Sequence, residues 1–200
     1  MTHQAQSSFD SLDRLATTGP GRQVKPPLFL CLLFALSANI VAAASLWSFG
    51  RPLLPRQQSL HLWSTSFEAA SNSQHLSDPY SFMHAVFGAG LFLIVNRLKP
   101  IWPERSKLIV AVLGSVVWEI VENTPRVIRV FNEAAQPGAY AGDSIVNSLS
   151  DTGFVILGFF MARWLGWRAT LWLAVLVEIV LTFSIADGLL LGTVKVLGLA

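Results

Sequence analysis

The chain is 200 residues long, 52% hydrophobic and only 13% charged, with a net charge of +2. Those numbers leave too little charge for a soluble surface and too much apolar content for disorder, and the scattered basic residues form no stripe for a nucleic-acid backbone to follow. Cys31, the single cysteine, excludes an internal disulfide and a cysteine-based metal knuckle, so the class that remains is an all-α, polytopic membrane protein.

Residues 1–26, rich in Ser, Thr, Gln and Gly, read as a disordered cytoplasmic tail, and residues 27–200 as a single transmembrane domain. Spans are expected at about 28–49, 80–96, 108–122, 145–162 and 169–191. The first, Leu28 to Phe49, carries no charge and is long enough for a hydrocarbon core of ~30 Å at 1.5 Å per residue. Arg22, Lys25 and the run Ala42-Ala43-Ala44 resemble a signal peptide. The apolar stretch exceeds a signal's core, however, and a polar tail precedes it, so it reads as a retained anchor.

The connection from Gly50 to Pro79 is 30 residues long and carries His61, Trp63, Glu68 and the polar run Ser71 to His75. Loops of this length are functional or disordered. Trp63 and Phe67 mark an interfacial segment that covers what lies beneath, while His61 and His75 read as solvated. Asp78 before Pro79 caps the second span, in which Gly88 and Gly90 allow close helix contact, as Gly114 does in the third. Thr124-Pro125 ends the third span, and Gly142-Asp143-Ser144 reads as turn, cap and start of the fourth. The residues after the fifth span carry one charge, Lys195, and either continue that helix or lie on the interface. Alternate connections hold nine Lys and Arg on one side and five on the other, which places the N-terminus in the cytoplasm.

With that topology the membrane-embedded polar residues fall at one level, near the outer face. His84 opens the second span, and Glu119, Glu122 and Asn123 close the third. Asp143, Ser144, Asn147, Ser148 and Asp151 open the fourth, and Asp187 lies near the end of the fifth. Glu178 alone sits at mid-bilayer, where it reads as a protonated, hydrogen-bonded acid or part of a proton path. Glu119, Glu122 and Asn123 share a helix face, and Ser144, Asn147, Ser148 and Asp151 form a stripe two turns long. Polar groups are expensive in a bilayer, so their gathering predicts one polar pocket.

Three chemistries fit it. His84, Glu119, Glu122 and Asp151 offer an imidazole and three carboxylates, a set suited to Zn²⁺, Mn²⁺ or Fe²⁺, although no strict ligand spacing such as HExxH is present. The same four serve metal-free acid–base catalysis, because the neighbouring carboxylates Glu119 and Glu122 repel and hold protons at different affinities. The third reading is a hydrogen-bonded network that locks helix ends together. Ser144 and Ser148 lack a nucleophile elbow and read as caps. Arg126 and Arg129, three residues apart beyond the third span, read equally as a clamp for an anionic lipid phosphate and as ion-pair partners of Glu122, Glu133 or Asp143. Asn123, Asp143 and Asn147 complete the expected substrate-binding set. Trp47, Trp102, Trp164 and Trp167 anchor span ends.

Asn72-Ser73-Gln74-His75-Leu76-Ser77-Asp78-Pro79-Tyr80, Trp118-Glu119-Ile120-Val121-Glu122-Asn123 and the segment from Gly142 to Asp151 resemble three blocks of an uncharacterised family of multi-pass inner-membrane proteins of alphaproteobacteria. The likeness covers roughly residues 45 to 165 in the same order. It implies a bacterial inner-membrane location and brings no activity with it. The family places two histidines three residues apart after the Asp-x-Tyr block; here His84 takes the first position and Phe87 stands at the second, so a metal pair in relatives would have lost one ligand. The order of polar groups is also distantly similar to VanZ-like proteins.

The expected function is a small envelope enzyme or binder that acts on a lipid-linked anionic substrate at the periplasmic membrane surface, with a divalent metal as a candidate cofactor and membrane lipids as partners. The alternative is a non-enzymatic structural or assembly subunit of a membrane complex. A transporter ranks third, because no internal repeat is visible.

Overall fold

The computed structural model describes residues 25–56, 59–65, 71–134 and 140–196. Most of the predicted tail, together with Phe67 and Glu68, lies outside the described residues. The described residues are helical, with no strand: α1 (Leu28–Ser48), α2 (Ser81–Leu98), α3 (Glu104–Glu122), α4 (Pro125–Ala134), α5 (Ile145–Ile185) and α6 (Leu189–Val196). By length and hydropathy α1, α2 and α5 each suffice to cross a membrane, and α3 with α4 makes a fourth such segment, bent by 74°.

The helix starts are chemical. Asp78 Oδ1 accepts from the backbone N–H of Tyr80 at 2.8 Å and of Ser81 at 3.3 Å, as expected of a cap. Ser144 Oγ accepts from Asn147 N–H at 3.2 Å and starts α5. Pro125 ends the reach of α3 and supplies the first residue of α4, a helix absent from the sequence expectation because it is short and amphipathic rather than apolar. Val127 and Ile128 turn partly inward while Arg126, Arg129 and Glu133 are exposed.

α5 is 41 residues long, interrupted only at Gly166 (φ 76°, ψ 164°), a backbone state open to glycine and strained for other residues. A straight helix of that length would span ~60 Å, about twice a hydrocarbon core. Instead Asp187, just beyond its end, accepts from the Tyr80 hydroxyl (3.3 Å), while Asp151, near its start, accepts from the adjacent Ser81 hydroxyl (2.8 Å). The chain therefore doubles back at Gly166, and the sequence-predicted gap between spans four and five shrinks to one residue. Ala186, in the left-handed region, ends the second arm.

The first arm of α5 packs along α2. Phe92 meets Phe159 edge-on with centroids 5.0 Å apart, and Ala89, Ala111, Val155 and Ala162 fill the core around them. α1 lies against α3, and Cys31, Ala42 and Leu46 are its buried residues. The outer flanks are apolar and exposed, among them Phe29, Leu32 and Leu36 on α1 and Trp172, Leu176 and Phe183 on the second arm of α5, whereas polar residues outnumber apolar ones among the buried described residues. This arrangement, greasy outside and polar within, is what a bilayer solvent selects.

Glu178 turns out to be neither isolated nor free. Its carboxylate accepts from the backbone N–H groups of Leu189 and Leu190 at 2.9 Å and of Leu191 at 3.2 Å, capping α6, whose Lys195 donates to the Ala186 carbonyl at 2.6 Å. Residues Leu189–Val196 thus form their own short helix rather than extending the fifth span.

Candidate functional site

Three helix ends and one loop segment build the site. α2 contributes Ser81 and His84 from its first turn, α3 contributes Glu119 and Glu122 from its last, and the start of α5 contributes Asn147, Ser148 and Asp151. Residues 71–78 close over them. Ser144 N–H donates to the Ser73 carbonyl (2.9 Å), the Ser144 hydroxyl to the Gln74 carbonyl (2.8 Å), the Gln74 amide to the Gly142 carbonyl (2.8 Å) and the Asn147 amide to the His75 carbonyl (2.9 Å). These bonds pull the polar run out of solvent: His75, expected to be solvated, is 1% exposed, stacks near His61 and has Ser71 Oγ 3.5 Å from its Nε2.

At the centre His84 bridges two acids. Its Nδ1 lies 3.4 Å from Glu119 Oε1 and its Nε2 3.7 Å from Asp151 Oδ2, with Glu119 1% and Asp151 2% exposed. Ligand atoms of His84, Glu119 and Glu122 all lie within 4.8 Å of one another. Asp151 is steadied by the Ser81 hydroxyl, and the Ser115 and Thr152 hydroxyls join α3 to α5 one turn deeper, at 3.0 Å. Neither oxygen of Glu119 has a hydrogen-bond partner of good geometry, although the Ser148 hydroxyl lies beside it; Glu122 Oε2 and Asn147 Oδ1 are likewise buried without one.

A second layer sits above. Asn123 and Asp143 pair reciprocally: the Asn123 amide donates to Asp143 Oδ2 (2.6 Å), and Asp143 N–H donates to Asn123 Oδ1 (2.8 Å). The Tyr140 hydroxyl donates to Asp143 Oδ1 (2.9 Å), and Arg51 donates to the Ala141 carbonyl. Burial pushes the Asp143 carboxyl up to about 6, against the opposing pull of its bonds from Asn123 and Tyr140. Burial also raises the Asp78 carboxyl, opposed by the N–H groups of Tyr80 and Ser81. A carboxyl raised in the folded state holds its proton more tightly there than in the unfolded chain. Its contribution to stability is fully present below about pH 4 and is lost as pH rises through about 6. Thermal stability in detergent should therefore fall between pH 4 and pH 7, and Asp143→Asn should remove up to about 3 kcal/mol of that fall. Melting curves of equal slope for the two proteins would exclude Asp143 as the source.

The sequence-predicted residues divide into two groups. His84, Glu119, Glu122 and Asp151 come together, with Asn147 immediately above them. Asn123 and Asp143 are buried in each other rather than displayed to a ligand. Arg126 and Arg129 stand outside the chamber, exposed on α4, with no ion pair to Glu122, Glu133 or Asp143 among the described residues. Sequence reading missed Ser81 and Tyr140. Ser81 had a signal, since it lies three residues before His84 and so shares its helix face; Tyr140 had none, because it is set by a loop contact.

The description "Protein of unknown function (DUF2585)" fits residues 46–198. The UPF0314 protein of Sphingopyxis alaskensis is 36% identical over 162 residues, covering 80% of this chain and 85% of its own. That of Rhizobium etli strain CFN 42 is 33% identical over 172 residues (84% and 85%), and that of Rhizobium meliloti 38% identical over 135 residues (66% and 67%). These matches show no VanZ likeness. No solved structure matches.

Proposed function

We propose, for a chain that belongs to the alphaproteobacterial DUF2585 family, an inner-membrane protein acting on a lipid-linked anionic substrate at the periplasmic surface, as a small enzyme or binder. Five crossings follow from counting the two arms of α5 separately around the reversal at Gly166. The surplus of Lys and Arg then sits at the cytoplasmic end with the N-terminus, and the polar chamber lies beneath the outer leaflet.

One observation carries the reading: His84, Glu119, Glu122 and Asp151 converge in a single chamber at the end of the bundle where α4 displays Arg126 and Arg129. α4 leaves α3 at 74°, the attitude of a helix lying along an interface with its apolar side toward the bundle. Two guanidinium groups without acidic partners pair with phosphate oxygens in bidentate fashion and hold a headgroup at that level. The acids and the imidazole beneath supply proton acceptors and donors of unequal affinity.

Lipid profiling of a strain lacking the gene, beside its parent, tests the substrate directly. The expected result is a changed amount of one anionic lipid class, restored by the wild-type gene and not by Arg126→Glu/Arg129→Glu. Identical profiles would sink the reading in favour of a structural or assembly subunit, for which the near-complete burial of Glu119 is the supporting observation.

A further inference from the structure

The geometry points to a divalent-cation centre in which His84 Nδ1, Glu119 and Glu122 are the ligands and Asp151, backed by Ser81, is a positioning residue acting through His84. The inference deepens the reading of this chamber as the functional site and rests on that reading for biological purpose only.

Distance comes first. Two ligands of one ion are at most two bond lengths apart, ~4 to 5 Å for bonds of 2.0 to 2.5 Å. The candidate atoms of His84, Glu119 and Glu122 already lie within 4.8 Å of one another, so small side-chain rotations bring all three onto one ion. Composition follows: one imidazole with carboxylates suits Zn²⁺, Mn²⁺ or Fe²⁺.

The independent sign is Glu119. It is 99% buried, and neither of its oxygens has a hydrogen-bond partner of good geometry. A buried carboxylate normally meets a donor or a cation. Lys107 is the one buried lysine or arginine among the described residues, and it is committed to Asn96 Oδ1 (2.6 Å) and the Pro100 carbonyl (3.1 Å), at the opposite end of α3 from Glu119. Among the described residues no lysine or arginine is paired with the acids of the chamber, whose basic neighbour is His84.

The arrangement around His84 gives Asp151 a different part from the one expected of a ligand. Asp151 Oδ2 faces Nε2 at 3.7 Å, on the far side of the ring from Glu119, and its Oδ1 accepts from the Ser81 hydroxyl at 2.8 Å. A carboxylate on one ring nitrogen selects the tautomer whose other nitrogen offers a lone pair to a metal, and it fixes the ring plane. Ser81, fully buried, fixes the carboxylate in turn.

The test uses the full-length protein in detergent, stripped with chelator and titrated calorimetrically with Zn²⁺ and Mn²⁺, with metal content checked by mass spectrometry. One ion per chain is expected, and Glu119→Gln, monodisperse and folded, should lose at least 100-fold in affinity. Asp151→Asn should lose 10- to 100-fold, since outer partners of a metal histidine are worth that much, and Ser81→Ala less than Asp151→Asn. Asp151→Asn should also bind with a shifted pH profile, which a purely structural role would not produce. No stoichiometric ion in the wild type, or unchanged affinity in Glu119→Gln, overturns the centre. A bound ion with an unaltered lipid profile in the deletion strain sinks the proposed substrate and leaves the centre standing.

Discussion

Gly158→Val should fail to accumulate as folded protein. A β-carbon placed on Gly158 lies 1.8 Å from the Ala85 carbonyl oxygen, and one on Gly88 lies 2.0 Å from the Val155 carbonyl oxygen. Both obstacles are backbone, so no rotamer change relieves them; the helices must part. Overfilling a packed interior costs ~1–3 kcal/mol where side chains yield, and a backbone clash exceeds that range. For a chain of this size a loss of about 3 kcal/mol lowers the melting temperature by roughly 6 to 12 °C. The damage reaches the site as well, because His84 and Asp151 ride on the two helices that this contact joins. Gly90→Ala and Gly153→Ala are the controls. Nothing lies within 4 Å of their added carbon, and alanine favours the helix, so their melting should match or exceed the wild type. Thermal melting with size-exclusion profiles in detergent reads the difference, and a Gly158→Val protein that melts like its parent would refute the close α2–α5 contact.

Glu119→Gln should abolish function and spare the protein. The substitution keeps shape while replacing a buried carboxyl whose oxygens lack a hydrogen-bond partner of good geometry. Membrane abundance and melting temperature should equal or exceed those of the wild type, while the lipid difference of the deletion strain stays uncorrected. Stability gained where activity is lost is the mark of a site held against its own preference. Glu119→Gln that restores the lipid profile in full would place the cluster among structural locks. Loss of the folded protein would place it there too.

Most of the site was legible because bilayer physics is severe. Glu119 and Asp151 are far apart in the chain yet share a depth, and depth follows from the apolar runs on either side. Ser144 and Pro125 were legible too, since caps and prolines act locally. His75 was not. A run of Ser, Asn, Ser, Gln and His looks solvated, and only its bonds to Gly142, Ser144 and Asn147, some 70 positions later, bury it. Glu178 escaped for a related reason: its partners are backbone N–H groups, which leave no mark in side-chain chemistry. α4 fell below the length at which an apolar run announces itself, and the tight reversal at Gly166 rests on a single residue with positive φ.

The bonds between residues 73–75 and 142–147 also order events during synthesis. A ribosome delivers His84, Glu119 and Glu122 to the translocon before it has made Asp151 or the loop's partners at Gly142 and Ser144. For that interval the acids of α3 lack their partners, and a charge left at mid-depth would cost about 2.5–3.5 kcal/mol. Their place at the last turn of α3 keeps them near hydrated headgroups while they wait. The polar chamber is therefore complete only once the first arm of α5 has been made, because Asp151 and the partners of the loop lie on it or just before it.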